Sequence, residues 1–191
     1  VEDSIEGWAD ALGALMSSYF VGGGQFPEME GRKVYFDLTH VRPKGAMING
    51  GFKAPGPEPL RRALDKIEQL IQSQVLNGAT RLKPIHIYDI AMHGSDAVLA
   101  GGVRRSATIC LFSVDDEEMI SAKTGNWFVD NPQRGRSNNS AVIVRDEIKR
   151  EDFRDIMQSI KEFGEPGFFF VDDKDITTNP CVEIGMFPQI D

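Results

Sequence analysis

The sequence lacks a long apolar run and carries no excess of positive charge. None of its apolar segments approaches the roughly 20 residues that a membrane-spanning helix needs, and its start is not of the basic-then-apolar leader type. The formal net charge of −8 argues against a protein that coats nucleic acid or a membrane surface, because such proteins bind through clustered Lys and Arg. We therefore expect a cytoplasmic chain with no nucleic-acid and no membrane partner.

Cysteine and histidine are also scarce, with two and three residues respectively. Cys110 lies in an apolar run, whereas Cys181 stands beside a proline and close to a carboxylate, so we expect no structural disulfide between them in a reducing compartment. The histidines show no metal-ligand spacing with cysteine, and we expect no metal site.

Helical and strand patterns alternate along the 191 residues. Apolar residues recur at helical spacing over residues 3–19, 60–76, 89–99, 115–123 and 151–163, with Asp3 or Ser4 as the N-cap of the first helix. Strands are predicted over residues 33–38, 84–88, 107–112, 140–144 and 168–171. The runs 107–112 and 168–171 are apolar enough for parallel strands that are buried on both faces. The alternation predicts an α/β fold, and we interpret residues 1–191 as a single domain.

The segment from residue 40 to residue 59 is too rich in glycine and proline for regular structure. It carries the basic side chains of Arg42, Lys44 and Lys53 among apolar residues. Loops of this length inside a compact domain are usually functional or disordered, and the apolar residues favour function. A solvated basic turn is the alternative interpretation.

The end of the chain sets an amide, a thiol and a carboxylate at alternate positions, namely Asn179, Cys181 and Glu183. In an extended backbone these side chains would share one side. A thiol can be a nucleophile, a metal ligand or a hydrogen-atom donor, while the carboxylate can take a proton and the amide can orient a hydroxyl. A buried cysteine beside a surface glutamate is the other interpretation, and spacing alone does not decide between them.

The chain contains five motif segments in order, at residues 41–46, 101–107, 137–140, 164–167 and 178–184. Together they resemble the ribonucleotide reductases of the adenosylcobalamin-dependent class, closest to their single-chain, triphosphate-reducing branch. TNPCVEI at residues 178–184 is similar to the finger-loop motif of that class in its proline-containing form. VRPKGA at residues 41–46, with the glycines that follow, resembles the loop that governs substrate specificity. The other three segments are GGVRRSA at 101–107, SNNS at 137–140 and GEPG at 164–167. One departure is Val182, where relatives often carry glycine.

The resemblance implies a fold and a mechanism. The fold would be part of the ten-stranded α/β barrel of ribonucleotide reductases, with a finger loop that carries the radical cysteine. Cys181 would become a thiyl radical after homolysis of the cobalt–carbon bond of adenosylcobalamin and would abstract the ribose 3′ hydrogen. Glu183 would deprotonate the 3′ hydroxyl, and Asn179 would hydrogen-bond the sugar hydroxyls. The substrate would be a ribonucleotide, with a triphosphate favoured.

The resemblance also implies allosteric control by a deoxynucleoside triphosphate. Arg42, Lys44, Gly45 and Ala46 would belong to the loop between the substrate base and this effector. Asp3 and Ser4 match the place where related enzymes hold the effector deoxyribose, although N-capping of the first helix explains them equally well.

The family reduces its substrate with a cysteine pair, one before the first helix and one beyond the finger loop, and neither is in this chain. Cys110 is a poor substitute, because an apolar strand would raise the pKa of its thiol and hide it. Since the chain also starts at Val1, we expect a partial catalytic barrel domain that is inactive alone, within a longer enzyme reduced by a thioredoxin-like or other dithiol. The alternative is a non-catalytic deoxynucleotide-binding module.

Overall fold

The computed structural model describes residues 1–22, 24–48, 51–99 and 107–187. The fold is mixed α/β with a parallel sheet. Contacts divide the chain into two compact units, Val1–Leu82 with His93–Arg105, and Lys83–Met92 with Ser106–Asp191. The single domain and the ten-stranded barrel of the sequence analysis stay predictions.

The first unit is built on two long helices. The first helix, α1 (Ile5–Tyr19), starts where the Ser4 side chain accepts a hydrogen bond from the Gly7 N–H. The second, α2 (Glu58–Leu76), ends at Asn77 and Gly78 as predicted. The helices join through the Tyr19 hydroxyl, which donates to Glu68 Oε1 at 3.1 Å. A 3₁₀ turn at Pro27–Met29 and a short hairpin of β1 (Met47–Ile48) and β2 (Phe52–Lys53) complete the described part of this unit.

Helix α3 (Pro84–Leu99) contributes its first half to the second unit and its second half to the first. The strand predicted over residues 84–88 is therefore wrong. Proline suits the first position of a helix, where its missing N–H would have no partner. Ile85, Tyr88 and Met92 then fall at helical spacing and are all buried in one core cluster.

The second unit contains a three-stranded parallel sheet in the order β3 (Thr108–Ser113), β4 (Ser137–Val144) and β5 (Gly167–Val171). Its other elements, in chain order, are α4 (Glu117–Ile120), α5 (Trp127–Asp130), a 3₁₀ helix (Pro132–Arg136), α6 (Arg150–Phe163) and the antiparallel pair β6 (Thr177–Thr178) and β7 (Gly185–Met186). The strands predicted at 107–112, 140–144 and 168–171 are confirmed, and the middle one begins earlier than predicted.

Side chains of this sheet alternate between two faces, and the core cluster covers one of them. Phe112 and Ala141 lie on that face with Ile156 of α6, and Cys110 packs against the same cluster. The other side chains of β3 and β5 are mostly only partly buried. The prediction that both strands are buried on both faces is therefore wrong, because the cluster covers a single face of the sheet.

Residues 33–38 form no strand, although they were predicted as one. Their burial alternates as in a strand, from exposed Tyr35 to buried Leu38. No described strand pairs with them, and an extended segment without a ladder partner is not a β-strand.

Candidate functional site

The segment that carries Cys181 is the loop of a hairpin. Thr177 pairs with Met186 and Thr178 with Gly185, and the six residues between the two strands form the loop. The Val182 N–H donates to the Asn179 carbonyl at 2.9 Å, which closes a four-residue turn with Pro180 in its second position. Proline is favoured at the second position of a turn because its ring fixes φ near the value that the turn requires.

This turn corrects one expectation. Alternation along an extended backbone predicts that Asn179, Cys181 and Glu183 share one side, but the backbone folds back on itself at Pro180 and Cys181. Strand alternation therefore does not apply to these three side chains. Their proposed roles depend on the loop geometry instead.

The Asn179 side chain closes the loop from within. Its Oδ1 accepts a hydrogen bond from the Ile184 N–H at 2.9 Å, while its own backbone N–H donates to the Ile184 carbonyl at 3.2 Å. The Thr178 hydroxyl donates to the same carbonyl at 3.0 Å. Since the structure shows no hydrogen bond from Asn179 Nδ2 to a described residue, the amide nitrogen is the part of this side chain left for a ligand.

Cys181 and Glu183 are both exposed, and Cys181 is a free thiol. Val182 between them has a φ of 68°, in the left-handed region that a β-branched residue rarely adopts. Glycine adopts this conformation without steric cost, so Val182 holds a backbone conformation that favours glycine.

Within the described part of the chain, a side chain of β4 bonds the loop to the sheet. Asn138 Nδ2 donates to the Pro180 carbonyl at 2.7 Å. Asn138 is exposed, while its neighbours Ser137 and Asn139 are buried. Because side chains alternate along a strand, Asn138 and the loop it binds lie on the face opposite to the one that holds Ser137 and Asn139.

The core face holds the other cysteine. Cys110 pairs in register with Asn139 in β4 and packs against the core cluster. Burial raises the pKa of its thiol to about 11, and the Asp116 carboxylate adds to this effect while the Lys123 ammonium opposes it. The predicted raised pKa is thus confirmed. Cys110 and the Cys181 loop lie on opposite faces of the sheet, which is not an arrangement that brings the two thiols together for a disulfide.

A polar network at the start of β4 was missed by the sequence analysis. Tyr88 Oη lies 2.8 Å from Ser137 Oγ and donates to Asn139 Oδ1 at 3.1 Å. Burial raises the pKa of Tyr88 to about 12, against the lowering effect of these hydrogen bonds. The segments SNNS and GEPG carry only a resemblance to family motifs in the sequence, and their spacing gives no sign of these contacts.

A partly buried ion pair lies beside this network. Lys123 is 4% exposed, and its Nζ donates to the Ser137 carbonyl at 2.5 Å and to Glu165 Oε1 at 2.9 Å. Glu165 Oε2 in turn accepts from the Asn139 N–H at 3.3 Å. The glutamate of GEPG therefore holds the start of β4, which is a structural role.

In the first unit, the loop predicted to govern specificity is folded around the β1–β2 hairpin. The Gly45 N–H donates to the Ala54 carbonyl at 2.9 Å, and the Ala54 N–H donates to the Ala46 carbonyl at 2.7 Å. Gly45 has a φ of 90°, which favours glycine. A Cβ on Gly56 would lie 2.8 Å from the Lys44 backbone nitrogen, so the two ends of the loop touch only because residue 56 is glycine.

The structure joins two groups that the sequence analysis had treated separately. Arg42 Nε forms a hydrogen-bonded ion pair with the Asp3 carboxylate, so the start of α1 and the loop are in contact. Ser4 is the N-cap of α1, as the sequence allowed. Two segments of the predicted motifs, residues 49–50 and 101–106, lie outside the described residues.

Within the described residues, no cluster of His, Cys, Asp and Glu could hold a metal ion. None of the described helices is long and apolar enough to cross a membrane.

The chain is similar to several curated proteins. No protein-family model and no solved structure matches the chain. The adenosylcobalamin-dependent ribonucleoside-triphosphate reductase of Lactobacillus delbrueckii subsp. bulgaricus is 33% identical over 96% of this chain and 26% of the relative. Proteins of the same name from Lacticaseibacillus paracasei, at 32% identity over 96% of the chain, and Lactobacillus helveticus, at 31% over 97%, are likewise matched over 26% of their length.

The chain thus spans about a quarter of the length of these relatives, and the similarity covers nearly all of it. The resemblance read from the motifs is confirmed: the chain is homologous to a segment of the adenosylcobalamin-dependent ribonucleoside-triphosphate reductases.

Proposed function

We propose that this chain is part of an enzyme that reduces ribonucleoside triphosphates to deoxyribonucleotides, with Cys181 as the radical residue. The homology over 96% of the chain supports the reaction. The observation that carries the role of Cys181 is its position: an exposed thiol on a closed turn that a strand side chain holds in place.

Three side chains of the loop would perform the chemistry on the ribose. The Cys181 thiyl radical takes the 3′ hydrogen atom, so that an S–H bond forms, the C3′–H bond breaks and the unpaired electron moves to C3′. The Glu183 carboxylate accepts the proton of the 3′ hydroxyl. Asn179 Nδ2 donates to a sugar hydroxyl while Oδ1 of the same side chain stays on the Ile184 N–H.

Adenosylcobalamin fits this assignment because the Cys181 thiol is exposed and therefore open to a cofactor that must reach the sulfur. When bound, the cofactor supplies a carbon-centred radical by homolysis of its cobalt–carbon bond. The protein residue that would meet it is Cys181. The thiol also needs shielding from water once it is a radical, which implies that the loop is enclosed during the reaction.

The remaining parts of the proposal concern the larger enzyme. The described sheet would form part of the ten-stranded barrel, and the β6–β7 loop would be its finger loop. Arg42, Lys44, Gly45 and Ala46 would lie between the substrate base and a deoxynucleoside triphosphate effector, with Asp3 and Ser4 at the effector sugar. A thioredoxin-like or other dithiol would supply the two electrons that the reduction consumes.

Turnover of the complete protein tests the proposal. Ribonucleoside triphosphate, adenosylcobalamin and a dithiol are supplied, and deoxyribonucleotide is measured for the wild type, Cys181→Ser and Cys110→Ser. We expect Cys181→Ser to abolish product and Cys110→Ser, on the opposite face of the sheet, to retain it. Turnover by Cys181→Ser would contradict the assignment. Tight, base-selective deoxynucleotide binding by a wild type that yields no product would instead indicate a non-catalytic binding module.

A further inference from the structure

The side chain of Asn138 lies against the turn that presents Cys181, and we propose that Asn138 is a positioning residue for the Cys181 thiol. The inference rests on the proposed function, because it assumes that Cys181 is the reacting residue. It assigns a role to Asn138 that is separate from those of Asn179, Cys181 and Glu183.

The hydrogen bond from Asn138 Nδ2 ends on the peptide group that joins Pro180 to Cys181. In a four-residue turn this central peptide has two orientations, which distinguish type I from type II turns. A type II turn requires positive φ at its third position, which is Cys181 here. Cys181 has no positive φ, so the central peptide is not in the type II orientation. The Asn138 bond therefore holds the carbonyl in the orientation that fixes the backbone, and with it the Cα–Cβ direction, of Cys181.

The donor is held by a rigid support. Strand β4 is the middle strand of the parallel sheet: Asn138 pairs in register with Ile109 of β3, and the pairing with β5 begins two residues later at Ser140. Ser137 and Asn139 flank Asn138 and are tied to Tyr88 on the opposite face. Asn138 thus starts from a backbone whose position is set by the core.

Among the described residues, every other hydrogen bond that the structure shows for residues 177–187 stays within the hairpin. The loop residues Val182 and Ile184 are 44% and 57% exposed, so packing fixes the loop only weakly. Removal of the Asn138 donor should therefore release the central peptide of the turn. The strands of the hairpin and the sheet itself should stay intact.

The test uses the complete protein and four variants. Asn138→Asp keeps the shape of the side chain but replaces the donor by an acceptor, Asn138→Ala removes it, and Asn138→Gln keeps an N–H donor. Asn126→Asp is the matched control, because Asn126 is exposed and its side chain makes no capping hydrogen bond. Steady-state kcat and KM are measured, together with hydrogen exchange of the peptide that covers residues 177–187. Thermal unfolding verifies that each variant is folded.

We expect hydrogen exchange in residues 177–187 to be about three- to tenfold faster in Asn138→Asp and Asn138→Ala, as loss of one hydrogen bond predicts. The kcat should fall about tenfold with KM within about twofold of wild type, since the thiol is displaced while substrate contacts remain. Asn138→Gln should recover part of both effects, and Asn126→Asp should show neither. If Asn138→Asp fails to fold, the comparison of Asn138→Ala, which lacks the donor, with Asn138→Gln, which keeps it, tests the proposal.

The proposal is overturned if either hydrogen exchange or kcat is unchanged in the variants that lack the donor, or if the loss appears in KM alone. If Cys181→Ser abolishes turnover while the Asn138 variants behave as wild type, the positioning role of Asn138 is overturned and the proposed function stands. Retained turnover in Cys181→Ser would overturn the proposed function, and the positioning role with it, whatever the hydrogen exchange shows.

Discussion

The Asp89–Arg134 pair allows the sharpest prediction about stability. Its side chains are 7% and 14% exposed, and two parallel hydrogen bonds join them, Nε to Oδ1 at 2.8 Å and Nη2 to Oδ2 at 2.7 Å. The third guanidinium nitrogen donates to the Ala122 carbonyl at 2.8 Å, and Gln133 Nε2 donates to Asp89 Oδ1 at 3.0 Å. All three guanidinium nitrogens are therefore bonded, and both carboxylate oxygens accept.

Asp89→Asn removes the charge without changing the shape of the side chain. Arg134 then remains as a buried cation without a counter-charge, and one of its N–H groups faces an amide donor. Loss of one member of a buried ion pair costs about 3–5 kcal/mol, and the slight exposure of Arg134 favours the lower end. A loss of about 3 kcal/mol corresponds to an increase of roughly a hundredfold in an opening equilibrium. Hydrogen exchange in the peptides covering residues 84–92 and 132–140 measures that equilibrium.

Two control variants separate this effect from the effect of charge alone. Asp172→Asn removes an acidic group that lies 3.5 Å from Arg145 on the surface of the same unit, and it should change exchange by less than about twofold. Arg134→Lys keeps the charge but loses the planar fork, so an intermediate increase is expected. An Asp89→Asn protein with exchange within about threefold of wild type would refute the reasoning, because the pair would then contribute little.

Four further predictions concern three positions, Cys110, Gly56 and Asp3. Burial holds the Cys110 thiol protonated up to about pH 11, so its alkylation rate should rise about tenfold per pH unit between pH 8 and 10, and a flat profile would contradict the raised pKa. Since the ordinary pKa is 9.0, the stability that this thiol contributes should be present below about pH 9 and be lost as pH rises through 11. Gly56→Ala should speed hydrogen exchange over residues 44–54 more than Gly45→Ala, because only the Gly56 Cβ would meet backbone; equal effects would disprove this. Asp3→Asn should speed exchange around Arg42 about two- to fivefold, and an unchanged rate would mean that the pair is dispensable.

The elements that the sequence predicted correctly have both periodicity and end signals. Helix α2 carries buried apolar residues at helical spacing, among them Ile67 and Ile71, and Asn77 and Gly78 end it. Helix α6 ends at Gly164, whose φ of 75° is a common helix stop. Strands β3 and β5 were recognised from uninterrupted apolar runs. Such signals are local, so one sequence suffices to find them.

The errors arose where tertiary contacts outweigh local preference. Ile85 and Tyr88 are good strand formers, yet they face a core that only a helix lets them reach together with Met92. Residues 33–38 have the alternation of a strand, but a strand also needs a neighbour. Neither fact is visible in a short window of sequence.

In the candidate site too, local motifs were found from the sequence and long-range contacts were not. Cys181 was found from a contiguous motif, whereas the Asn138–Pro180 hydrogen bond joins positions 42 apart and the Asp89–Arg134 pair joins positions 45 apart. Spacing of this length carries no periodic signal. The turn at Pro180 could have been anticipated, because an Asn-Pro pair favours turn initiation. The roles of Asn179, Cys181 and Glu183 stay predictions.

Strand β4 begins with polar residues because these side chains form hydrogen bonds on both faces of the sheet. Ser137 and Asn139 bond Tyr88 on the core face, and Asn138 between them bonds the Cys181 turn on the other. An apolar residue at 137 or 139 would leave the Tyr88 hydroxyl with fewer partners in a buried site, at a cost of about 1–3 kcal/mol. An apolar residue at 138 would cost the core little and would release the turn. The strand therefore connects the core to the proposed radical residue, and variants at adjacent positions should affect different properties: stability at 137 and 139, and turnover at 138.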